Sequence, residues 1–193
     1  KNHKIKASFA NKKLSIEGKG QIKLQNKFEI INYKIINNGS DLNLVSNIEL
    51  SELDIKNQNL IKEYLPKTKD VLNLKDHKIR ASYANKKLKI EGKGQVKLQN
   101  KFEFIDYDVA HSGSDLNLVS NIELSELDIK NQNLIKEYLP KTKNILNLKD
   151  HKIKLQYKNS NLSVEGLGKI SLDKEFSKIN YTFSKKNKKY NFE

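Results

Sequence analysis

The sequence predicts a mainly β protein, in which tandem repeats of an antiparallel four-stranded meander form a curved, elongated sheet or groove, with one short helix between repeats. Three observations predict this fold class: an internal repeat of 74 residues, apolar side chains at every second position, and turns spaced so that these side chains share one face. Hydrophobic residues make up only 36% of the 193 residues, but their regular alternation argues against disorder.

The repeat runs through the whole chain. The motif His-Lys-Ile begins at His3, His77 and His151, and residues 114–143 repeat residues 40–69 without a change. The third copy stops at Glu193, which corresponds to Val45 of the first. We therefore divide the chain into three units, which are repeat 1 over 1–75, repeat 2 over 76–149 and a partial repeat 3 over 150–193.

Four stretches of the first unit alternate apolar and polar residues, and each predicts a strand with one apolar face. Their apolar positions are Ile5, Ala7 and Phe9, then Leu14, Ile16, Gly18, Gly20, Ile22 and Leu24, then Ile31, Tyr33 and Ile35, and last Leu42, Leu44, Ile48 and Leu50. The two glycines point to the apolar face, which suggests a kink or a close approach, and leaves a shallow strip where another chain could lie near the backbone.

The turns of the first unit agree with a single apolar face, because paired residues of a hairpin point to the same side. Asn tolerates the positive φ of tight hairpin turns, and Asn-Gly is a strong hairpin signal. Two-residue loops at Asn11-Lys12, Asn26-Lys27 and Asn38-Gly39 would pair Phe9 with Leu14, Leu24 with Glu29, and Ile35 with Leu42. Glu29 is then the one charged residue at the edge of this face.

Phe28 and its counterparts Phe102 and Phe176 fall on the polar face in this register. Two explanations stay open: a bulge beside the turn brings the ring inward, or the ring packs against something on the outer face.

A short helix is predicted over 57–65 and again over 131–139. Leu60, Ile61, Tyr64 and Leu65 stand at helical spacing, and Pro66 ends the run. The residues from Val71 onward then lead into the next strand.

Residues typical of catalytic or metal sites do not recur in a useful arrangement. The three histidines of the repeat lie 74 residues apart with no second ligand beside them, which disfavours a metal site. Gly18-Lys19-Gly20 lies in mid-strand with no helix after it, so it is not a phosphate loop. No nucleophile with its base recurs, and cysteine is absent. We expect no enzyme activity, no metal and no cofactor.

The chain is strongly basic, with 37 Lys+Arg against 23 Asp+Glu and a net charge of +14. Arg80 is the single arginine. Nucleic-acid recognition favours arginine for its bidentate contacts, and no nucleic-acid motif is present. We therefore expect no specific nucleic-acid partner, and only weak, salt-sensitive binding of polyanions.

Segment 14–24, LSIEGKGQIKL, is followed by a strand with Phe28 and Tyr33, and 162–172 is followed by Phe176 and Tyr181. This pattern resembles the repeating β-sheet region of the AsmA-like family of bacterial envelope proteins, the AsmA, TamB and YhdP type. The resemblance implies a periplasmic protein that carries phospholipid along an apolar β-groove between the inner and outer membranes. It also implies an inner-membrane anchor in a segment outside this chain.

Two readings of the apolar face follow. In the first, it binds acyl chains of phospholipid or another lipid along its length. In the second, the protein is a structural or adhesive β-repeat whose face is a closed core without a lipid ligand. The residues predicted to line the lipid-binding groove are Ile5, Phe9, Leu14, Ile16, Ile22, Leu24, Ile31, Tyr33, Ile35, Leu42, Leu44, Ile48, Leu50, Ile79, Tyr83, Leu88, Ile90, Val96, Leu98, Ile105, Tyr107, Val109, Leu116, Leu118, Ile153, Tyr157, Leu162, Val164, Ile170, Leu172, Ile179, Tyr181 and Phe183.

Overall fold

The computed structural model describes residues 1–56, 65, 67–131, 136–137, 140–172 and 175–186, together with the backbone of 189–192. Its strands are β1 (Lys4–Ala10), β2 (Lys13–Leu24), β3 (Lys27–Asn37), β4 (Leu42–Lys56), β5 (Val71–Ala84), β6 (Lys87–Lys97), β7 (Phe102–Ser112), β8 (Asp115–Lys130), β9 (Ile145–Lys158), β10 (Asn161–Ser171), β11 (Phe176–Lys186) and β12 (Lys189–Phe192). Most of both predicted helices, at 57–65 and 131–139, lies outside the described residues.

All twelve strands belong to one sheet, and each strand is hydrogen-bonded to its neighbours in sequence, from β1 at one edge to β12 at the other. Each pair of neighbouring strands is antiparallel. The predicted mainly antiparallel β architecture is therefore confirmed. Sequential hairpins join neighbouring strands because amphipathic stretches alternate with short turns.

The first hairpin turn of each unit has the predicted position and conformation. Phe9 pairs with Leu14, and Asn11 and Lys12 both have positive φ, at 50° and 61°. The same positive-φ pair recurs at Asn85-Lys86 and at Asn159-Ser160. Two successive residues of positive φ are typical of a type I′ turn, whose twist matches that of the strands it joins.

The other two predicted hairpin registers are wrong by two residues. Leu24 pairs with Lys27 instead of Glu29, because Gln25 adopts the positive φ and moves the turn back. Leu42 pairs with Asn37 instead of Ile35. There the Asn37 side chain accepts a hydrogen bond from the Gly39 N–H at 2.7 Å. The turn is longer than predicted by one residue pair, because Asn37 and Leu42 are the last paired residues. A slip of two residues keeps every side chain on its predicted face.

Strands β4 and β5 are longer than predicted and contain an irregularity that the alternation alone does not show. Against β6, the register of β5 shifts by one residue between Lys75 and Lys78, and Asp76 has φ of 54°. Because of the extra residue, side chains on the apolar face have even residue numbers before Asp76 and odd residue numbers after it. Leu72 and Leu74, predicted as a connection, thus lie within the strand. The same shift recurs in β9, where Asp150 has φ of 54°.

The best-buried part of the molecule lies beside this second irregularity. Its buried members come from β8, β9 and β10: Leu124, Leu127, Leu146, Leu148 and Ile170. Leu65, from the connection between β4 and β5, packs against them. We call this set the leucine cluster.

Candidate functional site

Strand pairing brings the predicted groove residues into rows that cross the sheet on one side, which we call the apolar face. In one row Ile16, Ile35 and Leu44 are successive partners. A second row continues through most of the sheet and contains Gly20, Ile31, Ile48, Ile79, Gly92, Tyr107, Ser120, Leu155, Val164 and Phe183. Residues from all three units therefore share continuous rows.

Most of the predicted groove residues are half-buried. Leu50, Val96 and Ile170 are buried, whereas Ile5, Phe9, Leu42 and Leu116 are exposed. The others have intermediate exposure. Among the described residues no second sheet lies over this face, since all strands belong to a single sheet.

The sequence analysis missed several apolar residues near the irregularities. Ile122 and Leu124 are the counterparts of Ile48 and Leu50, and were left out of the predicted set. The other missed residues are Leu53, Leu72, Leu74, Leu127, Leu146, Leu148 and Leu155. A signal was present: the apolar positions change from even numbers at Leu50 to odd numbers at Leu53, as a bulge requires.

The glycines of each unit accommodate side chains of the same sheet, so the predicted open strip along them is wrong. A Cβ atom on Gly92 would lie 2.3 Å from Cζ of Tyr107, and one on Gly94 would lie 2.4 Å from Cδ2 of His77. The other units repeat this arrangement. The predicted close approach is confirmed, but the groups that approach the backbone are a tyrosine and a histidine of the chain itself.

The histidine and tyrosine of the second unit contact each other. His77 is 1% exposed, and its ring lies 5.9 Å from that of Tyr107. Its Nε2 is 2.9 Å from the carbonyl oxygen of Gln95, and its Nδ1 is 3.3 Å from the Tyr107 hydroxyl. An Nε2–H tautomer, donating to Gln95 and accepting from Tyr107, satisfies both contacts. Burial also raises the pKa of Tyr107.

His151, the counterpart in the third unit, is equally buried, and its Nδ1 lies 3.1 Å from the carbonyl oxygen of Lys149. Burial lowers the pKa of His151, while that hydrogen bond and Asp150 act in the opposite direction. Within the described residues, no group of three or more His, Cys, Asp or Glu side chains could hold a metal ion. His77 and His151 are thus buried members of the apolar face.

Two carboxylates lie at the irregularity instead of in solvent. Glu29 is 2% exposed and accepts hydrogen bonds from the Ser51 N–H at 2.7 Å and the Ser51 hydroxyl at 2.8 Å. Glu103 and Ser125 make the same pair of contacts in the second unit. Each carboxylate thus satisfies a backbone donor of an irregular strand, which is a structural role.

The opposite side, the polar face, carries the lysines and also the phenylalanines whose position the alternation left open. Phe28 lies on this outer face, opposite Lys23, with the Lys1 ammonium 5.9 Å from its ring. Lys75 and Lys97 both lie 5.5 Å from the Phe102 ring. Packing beneath lysines on the outer face is therefore the correct explanation, and the cations gain a cation–π contact.

The polar face contains both like-charged and oppositely charged cross-strand neighbours: Lys169 lies between Lys149 and Lys178, whereas other lysines contact carboxylates. Lys34 donates to Glu17 at 2.6 Å, which lowers the pKa of that carboxyl. Lys89 contacts both Glu91 at 2.6 Å and Asp108 at 3.1 Å. A shallow depression of about 830 Å³ is lined by both acidic and basic side chains. They include Asp106, Glu123, Lys152, Lys154 and Glu165.

No known protein family matches the chain, and no similar curated protein or solved structure was found. In the part of the chain that the structure describes, no helix is long and apolar enough to cross a membrane.

Proposed function

We propose that the apolar face binds the acyl chains of phospholipid or a similar lipid, in a bacterial envelope protein of the AsmA-like type that carries or shields lipid between membranes. The observation that carries this proposal is the run of half-buried, mainly apolar rows across a face that no second sheet covers among the described residues. Fully burying one such side chain stabilises by on the order of 1.5–3 kcal/mol relative to exposure. Rows of half-buried side chains therefore favour a further apolar cover.

Part of the chemistry of the face suits hydrocarbon. Glu29 and His77 have hydrogen-bond partners within the sheet, whereas Ser46 Oγ and His151 Nε2 are buried without one among the described residues. A buried polar group without a partner would oppose contact with acyl chains, because its desolvation would be uncompensated. Groups that are satisfied within the sheet add no such penalty.

The length of the surface also supports the proposal. We infer that its structural unit is the 74-residue repeat, a four-stranded meander with a short helical connection. The first two strands of the second unit, β5 and β6, are joined by the same positive-φ turn as β1 and β2. Apolar contact that continues from unit to unit would allow a lipid chain to move along the sheet without leaving hydrocarbon-like surroundings.

The test is site-specific photo-crosslinking in cells. Ile16 and Ile48 are replaced one at a time with a photoreactive phenylalanine, and lipids attached to the purified protein are identified by mass spectrometry. The matched controls carry the same residue at Lys13 and Asn47, which lie on the polar face. We expect lipid adducts at the first pair and few at the second. Folded protein without adducts at Ile16 and Ile48 would contradict the proposal.

A second candidate function is the structural or adhesive repeat with a closed core. The leucine cluster favours it, because Leu146 is completely buried and Leu65 covers part of the cluster. If the apolar face is closed in this way throughout, the photoreactive residue at Ile48 will crosslink to the chain itself and not to lipid.

A further inference from the structure

We propose that Asn38, in the turn between β3 and β4, is a site of spontaneous deamidation, and that the side chain of Asn37 restrains the reaction. The turn carries the only Asn-Gly pair of the sequence, Asn38-Gly39. Deamidation converts the asparagine side chain to a carboxylate and releases ammonia. The site lies apart from the apolar face and its residues have no part in lipid binding.

The turn leaves the reacting groups accessible. Asn38 and Gly39 are both exposed. Gly39 has φ of 89°, a conformation that favours glycine, and a Cβ atom at this position would have no neighbour within 4 Å. No side chain on residue 39, and no neighbour on that side of it, therefore hinders the approach of the Asn38 side chain to the Gly39 nitrogen.

The reaction needs only these two residues and water. The Gly39 nitrogen loses its proton to water and attacks Cγ of Asn38. The new N–Cγ bond closes a succinimide ring, while the Cγ–Nδ2 bond breaks and ammonia leaves with a proton. Water then opens the ring at either carbonyl, which leaves aspartate or isoaspartate at position 38. A water molecule is consumed for each ammonia released, and no oxidant or cofactor is required.

Asn37 holds the group that must react. It is the last residue of β3, paired with Leu14 on one side and with Leu42 on the other, so its backbone is fixed by the sheet. Its Oδ1 accepts a hydrogen bond from the Gly39 N–H at 2.7 Å, in the manner of an Asx turn. The nitrogen can attack only after this N–H is released and deprotonated. The hydrogen bond therefore slows the reaction in the folded chain.

The product changes the connection between β3 and β4. Isoaspartate adds a methylene group to the main chain, in a turn where the Asn38 N–H donates to the Asp41 carbonyl at 3.0 Å. Either product also adds a negative charge three residues before Asp41. The modified turn is therefore longer, or more acidic, than the one that the sequence encodes.

The second unit supplies a control within the same molecule. His111 and Ser112 take the places of Asn37 and Asn38 ahead of Gly113, and serine has no amide to lose. Cleavage after lysine releases the two turns in peptides 35–56 and 102–130, which are identical from residues 40 and 114 onward. The asparagines in these identical parts precede leucine or isoleucine within strands, so both peptides carry the same slow background.

The first experiment locates the reaction. The folded chain is incubated at mildly alkaline pH and digested, and both peptides are followed by mass spectrometry, with isoaspartate separated from aspartate by chromatography. A zero-time sample corrects for conversion during digestion. We expect conversion at Asn38 and only background in peptide 102–130. Asn38→Ser, which copies the second unit, should reduce peptide 35–56 to the same background. Equal conversion of the two peptides in the natural chain would overturn the proposed site.

The second experiment tests the restraint. Folded chain with Asn37→Ala should convert at Asn38 roughly fivefold faster than the natural chain, because one hydrogen bond to the attacking nitrogen is removed. Asn37→Asp keeps an acceptor oxygen and should be no faster than the natural chain. In concentrated urea, where the turn is lost, the natural chain and Asn37→Ala should convert at the same rate. Circular dichroism verifies that the variants are folded without urea. Equal folded rates, or an acceleration that persists in urea, would overturn the role of Asn37.

Discussion

The leucine cluster and its counterpart one repeat earlier have similar sequences and are similarly buried at three of five positions, but they differ in burial at the other two. Leu127 and Leu148 are 5% and 6% exposed, whereas the equivalent Leu53 and Leu74 are only half-buried. The segments that contain Leu53 and Leu127 are identical over thirty residues, 40–69 and 114–143. Among the described residues, one difference is the cover: Leu65, from the preceding connection, packs against the later cluster. We infer that this contact accounts for the greater burial of Leu127 and Leu148.

The largest expected effect comes from removing matched leucines. Leu127→Ala leaves a cavity beneath a covered surface and should lower the free energy of unfolding by about 2–5 kcal/mol. Leu53→Ala, in the same local sequence, should cost roughly half as much, because water already reaches that site and no closed cavity forms. Urea denaturation of the two variants measures the difference. Equal losses would mean that burial of the later cluster has no energetic consequence.

The glycine sites extend this comparison, because they are tightly packed although most apolar side chains around them are only half-buried. Gly92→Ala would bring a methyl group into the Tyr107 ring. Overpacking of this kind should destabilise by about 1–3 kcal/mol. Adding Tyr107→Ser should remove the clash and recover part of the loss, which a thermal unfolding series would detect. The absence of any rescue would show that the strand backbone, and not the ring, resists the methyl group.

Leu65→Ala tests the cover directly. Because Leu65 is half-buried, its truncation should cost about 1–2 kcal/mol, less than that of a fully buried leucine. In a double-mutant cycle it should couple to Leu127→Ala and be additive with Leu53→Ala, since only the first pair shares the cluster. Additivity with both leucines would contradict the proposed origin of the burial difference.

The pH dependence of stability gives the smallest effect. Burial lowers the pKa of His151 below its ordinary value of 6.5, so the unfolded chain binds this proton at a higher pH than the folded chain does. The stability contributed by neutral His151 is therefore complete above about pH 6.5 and is lost as the pH falls below it. His151→Leu should remove this part of the pH dependence in urea denaturation between pH 5 and 8. Unchanged pH dependence in the variant would contradict the assignment of this proton to His151.

The side of the sheet on which a strand residue lies could be predicted from the sequence, because it depends only on whether the residue stands at an odd or an even position of the strand. Ile16, Ile35 and Leu44 lie in one row although two of the three predicted hairpin registers were wrong. Each slip was by two residues, so no side chain changed face. The turn at Asn11-Lys12 was also predictable, since its positive φ values follow from local residue preferences. The bulge at Asp76 was visible only as a change of parity and was not recognised.

By itself, the sequence determined the antiparallel β architecture, the repeat and the side of the sheet on which most side chains away from the bulges lie, because these follow from period-two alternation and local turn chemistry. Only the tertiary structure decided that Tyr107 fills the space above Gly92, that Glu29 is buried against Ser51, and that Leu65 covers the leucine cluster. Each of these contacts joins residues that are distant in sequence. Their positions depend on the exact register of neighbouring strands, which alternation leaves free by two residues.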